Sequence, residues 1–198
     1  MAPLSQLDRP PRRDTAKGAL ETRMDLETTA RPDSDAPAVE GLGGKYMTFK
    51  LGEEVYGLEI LAVREIIGLM TITRMPRAPD HIRGVINLRG RVIPVMDLRA
   101  RFGMAPVEAT DQTVIIVVHC RISGRELTMG LLVDLVLEVS NIDGGQIEPP
   151  PDLGTSTIDE KFIRAVGKTA QGVAFLLDTA RILSGQDADS LVAALPQA

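Results

Sequence analysis

Few residues in this sequence could do covalent or metal chemistry, and their spacing is wrong for it. His81 and His119 could each bind a metal or move a proton, and His119 stands beside Cys120, the one thiol of the chain. Neither histidine has partners at the spacing of a metal site or a catalytic triad, so both read as structural histidines. Cys120 ends an apolar run and reads as a small buried or half-buried thiol, not a nucleophile. Gly167-Lys168-Thr169 carries the last letters of a phosphate loop, but the glycine required five positions earlier is Phe162, and the surroundings read as a β-turn. Asn141, Asp143 and Glu148 have neither the spacing nor the glycine of a calcium loop. The remaining carboxylates are scattered and read as solvated surface groups. The expectation is no catalytic residue, no metal and no cofactor.

Arginine carries more information. Between Arg74 and Arg101 stand seven arginines (Arg74, Arg77, Arg83, Arg89, Arg91, Arg99, Arg101) against two acids, Asp80 and Asp97, in a chain whose formal net charge is -5. A guanidinium presents a planar fork of donors matched to carboxylates, so this segment suits either an acidic protein partner or a solvated face with local ion pairs. Single-stranded nucleic acid would need aromatic stacking platforms, and the segment offers only Phe102. The net acidity also argues against general nucleic-acid affinity.

The elements that must position these residues are mostly strands. The 198 residues, 44% hydrophobic and 3% aromatic, suit one compact domain with additional chain. Residues 1–44 have no aromatic residue, five prolines, and six basic against eight acidic residues, which predicts a disordered tail with a weak helical tendency near Leu20, Met24 and Leu26. A lone cysteine forbids an intramolecular disulfide and fits a reducing compartment. No signal-peptide pattern opens the chain, and no apolar run approaches the roughly 18 residues needed to span a bilayer; a soluble protein is expected.

From Lys45 onward, short apolar runs alternate with glycine turns, the pattern of an all-β barrel or sandwich. Met47, Phe49 and Leu51 alternate with polar neighbours and turn through Gly52-Glu53-Glu54 into Val55–Ile60. A second hairpin joins Gly84–Leu88 to Val92–Met96 through Arg89-Gly90-Arg91, with Pro94 expected at an edge or bulge. Thr113–Val118 reads as a strand covered on both faces, turning at 122–125, and Val173–Leu177 as the last strand. Asp97 caps a helical turn over Leu98–Phe102 ended by Gly103, and Asp178 one over Thr179–Ser184 ended by Gly185. From Leu127 to Val139 every odd position is apolar, which predicts one long strand. Leu132 and Val136 interrupt its polar face; either a second layer covers them or they form an exposed strip for a partner.

The run Ile82-Arg83-Gly84-Val85-Ile86-Asn87-Leu88-Arg89-Gly90-Arg91-Val92-Ile93-Pro94-Val95-Met96-Asp97-Leu98-Arg99 resembles the signature of CheW-like domains. The upstream Tyr56-Gly57-Leu58-Glu59-Ile60 with Val63, Glu65 and Ile66, and the downstream Gly130–Val139 with Val133-Asp134, match the same family in order and spacing. The resemblance spans about Lys45 to Gly185. It implies a mainly β fold of two packed five-stranded SH3-like barrels with short helices. Residues 45–185 would form the domain, with a subdomain boundary near 104–112 that strands may cross, and 186–198 would form a tail or short helix.

The resemblance also implies a non-catalytic cytoplasmic adaptor of chemotaxis. It would couple chemoreceptors (methyl-accepting chemotaxis proteins), at their cytoplasmic signalling tip, to the regulatory domain of the histidine kinase CheA, with other CheW-like domains as further array partners. It implies neither nucleic acid nor membrane insertion. Val63, Glu65, Ile66, Gly84, Arg89, Val114, Gly130, Leu132, Val136 and Val139 would stand at partner contacts or function-sensitive positions, the kinase or receptor assignment of each being open. A non-flagellar chemosensory pathway and a nucleic-acid-binding β-barrel are the alternatives. Gly84, Gly90 and Gly130 could equally serve turns or close strand approach, and Arg89 could bond loop carbonyls. Three features depart from the family pattern: the long tail, Leu135 where a smaller residue is common, and the stiff Pro149-Pro150-Pro151.

Overall fold

Runs rich in Val, Ile and Leu become eleven strands among the residues that the computed structural model describes, namely 41–122, 125–150 and 160–182. They are β1 (Gly44–Leu51), β2 (Glu54–Glu59), β3 (Val63–Gly68), β4 (Ile82–Leu88), β5 (Arg91–Asp97), β6 (Val114–Ile122), β7 (Arg125–Val133), β8 (Leu135–Ile142), β9 (Ile147–Glu148), β10 (Ile163–Thr169) and β11 (Gly172–Leu177). Among these residues, helix is confined to α1 (Leu98–Arg101), α2 (Thr179–Ile182) and short 3-10 turns. Asp97 caps α1 by accepting from the Ala100 amide at 3.2 Å, and Asp178 caps α2 by accepting from Ala180 and Arg181.

Strand order is β8-β1-β2-β11-β10-β9 in a six-stranded sheet and β3-β6-β7-β5-β4 in a five-stranded one. The fold is therefore mainly β and built on two sheets, with one more strand in the first than five-stranded barrels would have, the two-residue β9. Each sheet curls until its ends meet. In the five-stranded sheet, Thr73, just beyond β3, exchanges two 2.8 Å backbone hydrogen bonds with Val85 of β4, the opposite edge. In the six-stranded sheet, Ile142 of β8 packs directly over Gly167 of β10.

The curling divides the side chains between three cores. Leu42, Tyr46, Ile142, Ile147, Ala165 and Leu176 fill the first sheet, and Ile86, Ile93, Val95, Ile115 and Val117 fill the second. A larger cluster unites both sheets: Phe49, Leu51, Tyr56 and Leu58 from one, with Ile116, Val118, Met129 and Leu131 from the other. β6 thus sends Ile115 and Val117 inward and Ile116 and Val118 into the shared core, which explains a β-branched run buried on both faces. Burial pushes the phenols of Tyr46 and Tyr56 above the ordinary tyrosine range, with Glu59 and Glu54 adding to the respective effects.

Several expectations change. The long strand Leu127–Val139 is two strands: at Asp134 the chain leaves the five-stranded sheet for the six-stranded one. Alternation persists across that break because β7 and β8 each keep a two-residue period, so hydrophobicity alone hides the change of sheet. Of the two places expected for Pro94, the edge is wrong, since β5 lies between β4 and β7, but a bulge in the β4–β5 pairing does fall beside it, between Ile82 and Gly84 opposite Met96 and Val95. Pro94 is tolerated because it faces Val85, whose amide and carbonyl are both engaged by Thr73, and because pairing with β7 starts one residue later, at Val95. Gly167-Lys168-Thr169 ends strand β10 instead of forming the turn, which falls at residues 170 and 171. β1 is not half polar: Tyr46 and Thr48 are buried along with Met47 and Phe49.

Packing begins before Lys45, for Leu42 is 3% exposed and its carbonyl accepts a 2.6 Å hydrogen bond from the Tyr46 hydroxyl. Residues 1–40 of the expected tail, the turn at 123 and 124, Pro151, the end of the second helical turn at Ser184 and Gly185, and residues 186–198 lie outside the described residues.

Candidate functional site

The conspicuous local chemistry is an ion pair on the seam where the five-stranded sheet closes. Arg89 and Gly90 are the two central residues of the β4–β5 hairpin, at φ 53° and 84°, the positive values that a tight two-residue turn of type I′ needs at both positions. Asn87 supports the turn by accepting from the Gly90 amide at 2.8 Å. The turn projects Arg89 across the seam, where its Nη2 donates to Glu65 Oε2 on β3 at 2.9 Å. Arg89 therefore bonds a carboxylate and not the loop carbonyls that its sequence context allowed. Its side chain remains 78% exposed against 30% for Glu65, so most of the guanidinium is open to another molecule.

Exposed apolar side chains lie near the pair in sequence, on the opposite face of β3 and in the turn before it. Ile66, next to Glu65 on β3, is 41% exposed, and Leu61, in the 3-10 turn leading to β3, is 93% exposed. Leu61 is a candidate contact that sequence reasoning missed. It sits inside the continuous run Ile60-Leu61-Ala62-Val63, where no alternation marks an outward side chain. Val63 opens β3 opposite Val118, half-buried, and Val114 lies at the far end of the β3–β6 pairing, opposite Gly68.

Gly84 and Gly130 have a different place. Both are buried and pair with Val95, one from each side of β5. A Cβ on Gly84 would stand 2.1 Å from the Thr73 carbonyl oxygen, at φ 142°, and one on Gly130 would stand 2.6 Å from Ile115 Cγ2. Backbone approach accounts for glycine at both. Leu132 packs partly buried on the Ile86 cluster and Val136 on the core shared by the two sheets, so a second layer covers each in part. Val136 and Val139 stand on β8 of the other sheet, paired with Phe49 and Met47, and Val139 is 48% exposed. The sequence-derived residues thus divide into a seam group (Val63, Glu65, Ile66, Arg89), a backbone group (Gly84, Gly130), and positions elsewhere on the two sheets.

The seven arginines also separate. Arg99 donates to Asp134 at 2.7 Å and to the Ala105 carbonyl, with its side chain 13% exposed. Arg101 bonds the Ile182 carbonyl and lies 4.8 Å over the Phe162 ring. These two hold the fold. Arg83 makes only a 3.9 Å approach to Asp97. Among the described residues no group of three or more His, Cys, Asp or Glu could hold a metal, and no helix is long and apolar enough to cross a membrane. His119 Nε2 lies 3.8 Å from Glu126 at the far end of the β6–β7 hairpin.

The β3 edge thus carries an exposed ion pair on one face and an exposed aliphatic residue on the other, a mix that suits a protein-binding edge. The family model described as CheW-like domain matches residues 45–187. The chemotaxis protein CheW of Klebsiella aerogenes is 34% identical over 150 residues, covering 76% of this chain and 87% of that protein. The chemotaxis protein CheW of Rhizobium meliloti is 40% identical over 124 residues, covering 63% and 77%. The crystal structure of the scaffolding protein TtCheW from Thermoanaerobacter tengcongensis superposes with a TM-score of 0.65 at 38% identity, covering 73% of this chain and 95% of that one.

Proposed function

This chain belongs to the CheW family of chemotaxis scaffold proteins, and we propose that it is a non-catalytic cytoplasmic adaptor that couples chemoreceptors to the histidine kinase CheA. The observation that carries the reading is the exposed Arg89–Glu65 pair at the closing seam of the five-stranded sheet, on a strand that also exposes Ile66. An exposed pair contributes at most about 1 kcal/mol to folding, so its value lies in presenting a fixed donor fork to a partner. Ile66, exposed on the other face of the same strand, and Leu61, exposed in the turn before it, could add apolar area to a partner contact. The seam group is the proposed centre of one interface. Val136 and Val139, on the other sheet, suit a second one, which would let a single adaptor touch two partners.

Coupling would then be geometric: the protein holds receptor tip and kinase regulatory domain so that a receptor movement alters kinase output. Interfaces near the small end, about 1,200 Å² each, suit a reversible component, and multivalency in an array supplies the remaining affinity. Recruitment to such arrays, with other CheW-like domains as further partners, and a domain spanning 45–185 preceded by a tail are parts of the same proposal.

The test is autophosphorylation of CheA with receptor signalling fragments, with and without this protein. The expected result is receptor-dependent kinase activation that requires the protein and falls at least about tenfold with Arg89→Glu, while the far-ultraviolet spectrum and urea midpoint stay near wild type. No effect of the wild-type protein, with no binding to receptor fragment or kinase, would refute the reading.

A further inference from the structure

The second interface proposed on β8 depends on an irregularity in the pairing of β8 with β1. Lys50 and Phe49 face Leu135 and Val136, while Met47 and Tyr46 face Val139 and Ser140, so Thr48 alone stands opposite two residues, Leu137 and Glu138. That is a β-bulge carried by β8. The hydrophobic alternation of the sequence runs straight through this point, but the backbone register does not. On a regular strand Val136 and Val139, three positions apart, would point to opposite faces. The bulge absorbs the extra residue, so the two valines face Phe49 and Met47, which share one face of β1 and belong to the core common to both sheets. Val136 packs against that core, and Val139, about 7 Å further along, is 48% exposed. The result is one apolar strip running from the core to the surface.

A bulge takes backbone groups out of the ladder, and here one side chain replaces the missing partners. Thr48 Oγ1 donates to the Glu138 carbonyl at 2.9 Å and accepts from the Glu138 amide at 3.3 Å. A hydroxyl can do both at once, whereas valine has the same shape and can do neither. Losing it would leave an amide and a carbonyl in a part-buried place without their partner, a cost that the chain relieves by opening β8 or by slipping it one residue. Either movement carries Val139 away from Met47. Thr48 itself is 1% exposed, so it cannot touch a partner protein.

We infer that Thr48 is a positioning residue: its hydroxyl fixes the β8 bulge and thereby sets Val136 and Val139 side by side for a partner. The inference rests on the reading of these two valines as a second interface, but where they point can be measured apart from it.

The test compares Thr48→Val, which keeps the shape and removes the hydroxyl, with Thr48→Ser, which keeps the hydroxyl, on the full chain. Wild type should show nuclear Overhauser contacts from Val139 to Met47 and from Val136 to Phe49. Thr48→Val should abolish the Val139–Met47 contact and speed exchange of the 136–140 amides at least about fivefold, the worth of one net hydrogen bond, with the β6 and β7 amides unchanged. Of the kinase regulatory domain and the receptor fragment, the partner whose affinity falls with Val139→Glu should also bind Thr48→Val at least about fivefold more weakly. Thr48→Ser should restore contact, exchange and affinity. Deleting Glu138 from the Thr48→Val chain removes the residue that the hydroxyl accommodates, and it should restore the contact and the affinity as well; a role of Thr48 in packing alone would leave that chain as impaired as Thr48→Val. A Thr48→Val chain with wild-type contacts and exchange would overturn the inference, as would one that unfolds and is not rescued by the deletion. Wild-type affinity of Val139→Glu for both partners, with the strand effects intact, would instead strike the second interface and leave Thr48 with no role in binding.

Discussion

Gly84 shows how a residue at a function-sensitive position can act through the backbone alone. Its φ of 142° and the 2.1 Å separation a Cβ would have from the Thr73 oxygen leave no room for a side chain. The two hydrogen bonds between Thr73 and Val85 depend on that approach, and they close the five-stranded sheet. Gly84→Ala should lower unfolding free energy by at least about 2 kcal/mol, the sum of two hydrogen bonds near 1 kcal/mol each before any strain, read as a drop in the urea midpoint. Partner binding lost by Gly84→Ala should therefore accompany lost stability, in contrast to Arg89→Glu, whose target is mostly solvent-exposed. An unchanged midpoint for Gly84→Ala would refute this backbone role.

Between elements, the decisive point is Asp134. Its carboxylate accepts from the Gly52 amide and from Arg99, each at 2.7 Å, and its own amide donates to the Lys50 carbonyl at 3.3 Å. One side chain thus ties the β1–β2 turn of the first sheet and α1 of the second to the chain that passes between them. Asp134→Ala would leave the Gly52 amide without its acceptor and Arg99, 13% exposed, without its carboxylate. The expected cost is about 2–3 kcal/mol in urea unfolding. A variant as stable as wild type would mean that water replaces the carboxylate and that the crossover is held by strand pairing alone.

Over the whole molecule, the shared core makes the two sheets one cooperative unit. Met129 of β7 lies in the same cluster as Phe49 and Tyr56 of the other sheet. Both tyrosines of the chain, Tyr46 and Tyr56, belong to the six-stranded sheet, and there is no tryptophan, so tyrosine emission reports on that sheet while far-ultraviolet dichroism reports on both. Met129→Ala should cost about 2–5 kcal/mol and move both signals to the same lower urea concentration. Two separated transitions would show that each sheet unfolds by itself.

The sequence by itself determined most of the strands, the hairpin turn at Arg89-Gly90 and the family, because each of these is written locally. Period-two hydrophobicity, a glycine where φ must be positive, and an aspartate before a helical turn act over a few residues. The Gly84–Arg99 motif also named Arg89, and the spacing around Val63 named Glu65. Only the tertiary structure decided that these two side chains meet, 24 positions apart, since that contact exists only when the first and last strands of a curled sheet come together. It also decided that the alternating run from Leu127 to Val139 serves two sheets, because an unbroken two-residue period does not encode which neighbour a strand pairs with. Finally, it divided arginines alike in sequence into those engaged inside the fold and those left at the surface, a distinction set by what stands opposite each one in space.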